Sequence, residues 1–187
     1  TEGYGPNAAA LQQLTDEGAK LIVTVDCGTT SVDVLDGAQA QGVDVVVVDH
    51  HQADERLPAV HALVNPNRLD DLSGQGHLCA AGVVFLVLVA TARELRQRGH
   101  YGSGLSEPPL IGNLDLVALA TVADVVPLKG LNRAYVTKGL QVMRARENAG
   151  LRALQDAAGL SEAPSAYHLG FILGPRINAG GRIGDAG

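Results

Sequence analysis

The chain has 187 residues, 46% of them hydrophobic, which is enough for a packed core in one large domain or a domain and a half. Its formal net charge of -6 excludes nucleic-acid binding through a broad basic surface, a mode that needs clustered Lys and Arg. With no Trp and only 3% aromatic residues, few rings are left for stacking single-stranded bases, so base stacking is expected to come from elsewhere.

Asn7 is a candidate N-cap for a helix through about Glu17, closed by Gly18, and Leu21 to Val25 reads as a fully buried strand. Asp26-Cys27-Gly28-Thr29-Thr30 turns the chain into a second helix, about Val32 to Gln41. Val43 to Val48 forms the next strand. A strand-helix-strand unit closes right-handed with parallel strands, so Asp26 and the triplet Asp49-His50-His51 both follow the carboxyl ends of neighbouring strands. Open α/β sheets bind their ligands at that edge. A short third strand is expected at Ala62 to Val64, then the turn Asn65-Pro66-Asn67, a loop through Gly76 and a helix from about Cys79 to Gln97. The apolar run Leu78 to Ala92 is broken by Gly82 and Thr91 and falls short of the roughly 20 residues of a membrane span.

His100 to Pro109 reads as an exposed connection. Beyond Asn113 the pattern is helical: about Leu114 to Ala123, Arg133 to Arg146, Leu151 to Ala158 and Ala166 to Leu173, closing on a Gly-rich loop from Gly174 to Arg182. The expected fold is α/β, a Rossmann-like parallel sheet with flanking helices over residues 1–112, followed by a helical part over 113–187. Cys27 and Cys79 lack CxxC spacing and fit a reducing cytoplasm. Thr1 in place of an initiating Met suggests a piece of a longer protein.

An acid followed by two histidines after an all-valine run is a candidate cation site. Successive side chains on an extended segment point to opposite sides, so one imidazole is expected to ligate metal while the other faces what the metal holds. Asp49 then orients a ligating imidazole through its second nitrogen, or holds a metal-bound water. Asp26 is either a helix cap or a ligand. Thr29, Thr30 or Ser31 can cap, which leaves Asp26 for metal. Asp124, in the apolar segment Ala120 to Pro127, reads as a buried carboxylate at a helix end, costly unless a cation holds it. Arg176 and Arg182 suit phosphate through their planar forks, and Asn178 joins them in the candidate phosphate-binding set. No GxxxxGK[ST] is present. His61, His77, His100 and His168 lack acidic neighbours in sequence and read as surface or packing residues.

Val25-Asp26-Cys27-Gly28, the Asp49-His50-His51 triplet, Ala120 to Leu128 and Gly174 to Arg182 together resemble the DHH phosphoesterases, and within them the bacterial RecJ single-stranded-DNA exonucleases. The resemblance implies a 5′-to-3′ exonuclease of single-stranded DNA in repair and recombination, using Mn²⁺ or Mg²⁺ in a two-metal site. The acid matching Asp26 would bridge both metals, His50 and Asp124 would ligate one, and His51 would meet the scissile phosphate. Oxygen-rich ligation with one imidazole independently favours Mn²⁺ or Mg²⁺ over zinc. The match begins downstream of the family's first motif, an Asp-x-Asp-Gly-type segment, and the later DHH-associated and OB domains have no counterpart. The isolated chain is therefore expected to be inactive, with repair or recombination proteins as partners through the missing domains. Two rival readings are a DHH phosphoesterase for dinucleotides, short oligonucleotides or pyrophosphate, and a non-catalytic DHH-like replication scaffold.

Overall fold

The computed structural model describes residues 5–102 and 104–180. The chain divides between Val84 and Phe85 into two compact units. In the first, α1 (Ala8–Asp16) is capped by Asn7, whose side chain accepts the Ala10 N–H. The strands β1 (Leu21–Val25), β2 (Asp44–Val48) and β3 (Ala62–Val64) form one parallel sheet in the order β1-β2-β3. α2 (Val32–Ala40) links β1 to β2. Leu11, Leu35, Ala38, Val45 and Val47 pack with Ile22 and Val43 as this unit's core. β-Branched side chains, stiff at χ1, fill the pleat of β2, where Val45, Val47 and Val48 are all buried.

The second parallel crossover, residues 49–61, contains no helix. Parallel neighbours need a long connection, usually helical. Here its irregular backbone carries the Asp49-His50-His51 triplet, and side chains rather than a helical ladder tie it down. Asp36 accepts the Ala59 N–H at 2.7 Å, while Arg56 reaches Asp33 and Asp36.

α3 (Ala80–Gln97) runs across the division, and from Phe85 onward the elements are helical. These are α4 (Leu114–Ala123), α5 (Gly130–Arg144), α6 (Ala149–Ala157), α7 (Ala166–His168), a π turn (Leu169–Leu173) and α8 (Gly174–Gly180). Ala118, Leu119, Val136, Met143, Leu151, Leu169 and Leu173 form their core. The α/β sheet followed by helices agrees with the sequence reading. The Gly-rich loop does not, because residues 174–180 are helix. Packing requires Gly174 there. A Cβ on it would lie 2.9 Å from the Leu169 carbonyl oxygen and 3.1 Å from the Ala123 Cβ. No helix among the described residues is long and apolar enough to cross a membrane.

Gly139 sets the closeness of α4 and α5, since a Cβ there would run into the Leu114 carbonyl and the Ala118 side chain. Gly139→Ala gains about 1 kcal/mol of helix propensity but overpacks a helix contact, which costs about 1–3 kcal/mol. We expect the variant to be less stable than the wild type in urea unfolding, although alanine is the better helix former.

Candidate metal centre

β1 and β2 run in register from Leu21 beside Asp44 to Val25 beside Val48, and the Asp26 N–H extends the ladder by donating to the Val48 carbonyl at 3.0 Å. Asp26 and Asp49 therefore leave adjacent strands at one sheet edge, as the sequence implied. Asp26 has a φ of 64°, the left-handed region that Asp tolerates better than most residues. Gly28 follows with a φ of 115°, and a Cβ on it would sit 2.8 Å from the Thr24 hydroxyl. The turn is thus restricted to residues that accept positive φ. Asp26 does not cap α2. The N-cap is Ser31, which makes no capping hydrogen bond from its side chain.

Asp49 is 1% exposed and its carboxylate is crowded with donors. One oxygen accepts from the backbone of His50 at 2.8 Å and of His51 at 3.3 Å, and from His51 Nδ1 at 2.7 Å. The other accepts the Thr29 N–H at 3.0 Å. Burial acts to raise the Asp49 pKa, but the bonds from His51, Thr29 and His50 outweigh it and hold the carboxyl well below the usual carboxylate range.

This geometry corrects two expectations. Because Asp49 pulls both following amides onto one oxygen, the segment turns and strand alternation does not apply to it. The two imidazoles are not splayed. Their centroids lie 4.6 Å apart at 60°, and Asp26, His50 and His51 each bring one ligand atom within 4.8 Å of the others. Nor does Asp49 orient His50. It holds His51, while the Leu78 carbonyl holds His50 at Nδ1, 3.1 Å away.

The Leu78 contact decides the chemistry of His50. A carbonyl can only accept, so Nδ1 carries the proton and Nε2 faces the Asp26 carboxylate at 3.2 Å. A lone pair facing a carboxylate is unfavourable unless a second proton or a shared cation lies between them. Cys27, the nearby thiol, is pushed up by burial and then by the carboxylates of Asp49 and Asp26, and its S–H contacts the Val25 carbonyl at 3.5 Å. The candidate donors Asp26, His50 and His51 offer carboxylate oxygen and imidazole nitrogen, which suits Mn²⁺ or Mg²⁺ better than a thiolate-seeking ion.

Several positioning residues were not singled out in the sequence. Asn65 donates to the Thr29 hydroxyl at 2.8 Å and to the His51 carbonyl at 2.9 Å. Asn67 donates to the His50 carbonyl at 2.6 Å and to the Gly76 carbonyl at 3.0 Å. Their only sequence signal was the Asn-Pro-Asn turn, which says nothing about a tertiary target.

In the second unit, Asp124 ends α4 as its C-cap and is exposed, not buried as expected. The apolar segment leaves the core there because Val125 adopts a φ of 58° and is 88% exposed. Arg176 and Asn178 lie on α8 and are both exposed. Two residues apart on a helix, they project from different sides and do not converge on one anion. Arg182 lies outside the described residues. His168 and His61, without acids beside them in sequence, meet acids in space: Glu162 at 3.2 Å and Asp44 at 3.6 Å respectively.

Residues 2–121 match the DHH family, N-terminal domain. The chain belongs to the DHH family. Among DHH proteins it is 44% identical over 187 residues to the single-stranded-DNA-specific exonuclease RecJ of Dickeya dadantii (strain 3937), covering 98% of this chain and 32% of that protein. A crystal structure of exonuclease RecJ bound to manganese matches with a TM-score of 0.81 and 37% identity, over 99% of this chain and 44% of that one. RecJ from Thermus thermophilus in complex with Mn²⁺ matches with a TM-score of 0.76 and 36% identity, over 94% of this chain and 25% of that one. This DHH chain spans about a third of the length of the curated relatives it matches.

The depressed Asp49 pKa sets a pH dependence. A carboxyl with a lowered folded pKa contributes stability that is complete above its unfolded value and is lost as pH falls toward the folded one. We expect the stability gap between wild type and Asp49→Asn to hold from pH 7 to about 4.5 and to narrow below about 4, the unperturbed range for Asp. Urea unfolding at stepped pH checks it. A gap already closing between about pH 7 and 5 would contradict the assignment.

Proposed function

We propose that this chain carries part of a metal-dependent phosphodiesterase centre, and that the parent protein removes nucleotides from the 5′ end of single-stranded DNA in the cytoplasm, in repair and recombination. The observation that carries the reading is the 3.2 Å opposition of His50 Nε2 and the Asp26 carboxylate, with Nδ1 already committed to Leu78. The similarity to RecJ structures holding manganese supports it.

In this reading Asp26 and His50 hold Mn²⁺ or Mg²⁺. Bound there, a divalent cation supplies Lewis-acid polarisation of the phosphoryl group and an activated water. His51, half-exposed and fixed by Asp49 through Nδ1, presents its other nitrogen to the substrate phosphate. Thr29, Asn65 and Asn67 keep the Asp49 turn closed, and so fix where that nitrogen points. Arg176 contacts the DNA backbone. Protein partners in repair or recombination would be met through parts of the parent beyond this chain.

A two-metal reaction needs both ions held about 3.5–4 Å apart, and misplacing them forfeits much of the roughly 7–11 kcal/mol that positioning can contribute. The first unit brings three candidate donors together. The isolated chain is accordingly expected to bind Mn²⁺ weakly and not to shorten DNA.

The test is Mn²⁺-dependent shortening of a 5′-labelled single strand, with a dinucleotide as the competing substrate, in a chain extended to the relatives' length. His51→Ala should lower turnover on the order of 10²–10³-fold with Mn²⁺ affinity nearly unchanged, the size of losing one transition-state donor. His50→Ala should lower both. Faster turnover of the dinucleotide than of the strand, or full activity of His50→Ala, would overturn the reading.

A further inference from the structure

Two of this chain's few aromatic rings stand together on the surface. Among the six Tyr and Phe residues, Phe85 and Tyr135 are buried against one another, with centroids 5.5 Å apart. Tyr167 and Phe171 are 62% and 72% exposed, yet stack on each other with centroids 5.1 Å apart and planes inclined by 29°. A ring left in water forgoes the burial that usually justifies an aromatic residue. A stacked and exposed pair in an aromatic-poor chain is a different arrangement from scattered surface residues.

The backbone holds the pair in place. Tyr167 lies in α7 and Phe171 in the π turn, four residues apart. The wider turn, with its i→i+5 bonding, brings such a spacing into closer alignment than an α-helix does. The turn is seated by two glycines. A Cβ on Gly170 would meet a Val122 methyl at 3.2 Å, and one on Gly174 would meet the Ala123 Cβ at 3.1 Å. Val122 and Ala123 directly precede Asp124. The platform is thus built on the element that packs against the end of α4.

A cation stands nearby along the chain. Arg176 is exposed and its Nη1 donates to the Ile172 carbonyl at 2.8 Å, which turns the guanidinium back toward the turn that carries Phe171. No other hydrogen bond joins it to a described residue. An exposed aromatic stack followed closely in the chain by a guanidinium offers a nucleotide one part for the base and one for the phosphate.

We propose that Tyr167 and Phe171 form a stacking platform for a nucleobase of single-stranded DNA, with Arg176 taking the adjoining phosphate. The inference rests on the single-stranded-DNA reading above. Stacking on a π-face is tolerant of sequence, so the platform grips any strand without selecting among bases.

The chain has no Trp, which makes Phe171→Trp a single-site reporter. Two probes are titrated with the 187-residue chain: a dT 15-mer and a tetrahydrofuran abasic 15-mer, which keeps the phosphates and lacks the bases. Anisotropy of the 3′-labelled 15-mers reports binding, and indole emission of Phe171→Trp reports stacking. The proposal expects the dT strand to quench the indole and the abasic strand to leave it unchanged. It also expects Phe171→Ala to weaken dT binding on the order of 5- to 100-fold, with affinity restored in Phe171→Trp. If the dT strand binds but does not quench, or the abasic strand quenches equally, the platform is overturned and the DNA reading stands. An indole already emitting as a buried ring without DNA would mean that protein covers the site, and would also overturn the platform. If anisotropy never rises, the single-stranded-DNA reading of this chain fails and the platform fails with it.

Discussion

The buried carboxylate of Asp49 is the constraint on which the candidate centre depends. Two backbone amides and one imidazole meet a single oxygen, and Thr29 meets the other, so this side chain converts the end of a strand into a tight turn. Removing it would leave the buried Thr29 amide and the part-buried donors of His50 and His51 without their acceptor, and the buried loss costs more than an ordinary hydrogen bond contributes. The turn in turn fixes His51 directly, and fixes His50 by setting the backbone from which its ring reaches Leu78.

Around that turn the protein uses amides where a sheet would use a ladder. Asn65 and Asn67 bind the carbonyls of His51 and His50, so the irregular crossover keeps its backbone groups paired without a helix. Asp26 faces it from β1 in a left-handed conformation, held by its N–H on Val48. Such conformations cost of order 1–3 kcal/mol and persist only where the surroundings over-determine them. The sheet register and Gly28 supply that determination here.

The sheet was legible because β2 is a run of β-branched residues, and a strand-helix-strand unit admits one handedness. That alone brought Asp26 and the triplet to one edge. The relative orientation of the two histidines was not legible. Sequence reasoning extended the strand's alternation past Val48, whereas the Asp49 carboxylate captures the next two amides and ends it. The Asn65 and Asn67 contacts span 14 and 17 residues to their histidine carbonyls, and no local pattern encodes such a target. At Asp124 an apolar sequence predicts burial, but Val125 takes positive φ and turns the segment outward. The glycines of 174–180 predict a loop through their conformational preference. Contact with Ala123 gives Gly174 a packing reason inside a helix.

The central claim is that His50 and Asp26 share a divalent cation, with His51 beside it. Mn²⁺ is paramagnetic and broadens the resonances of nearby nuclei, so substoichiometric Mn²⁺ added to the chain with its histidines labelled in the ring reads the site directly. The account predicts that the imidazole signals of His50 and His51 broaden first and together, ahead of those of His61, His77, His100 and His168, and that Asp26→Asn removes the effect. Broadening that begins at His61 or His168, or that is uniform over all six rings, would contradict it.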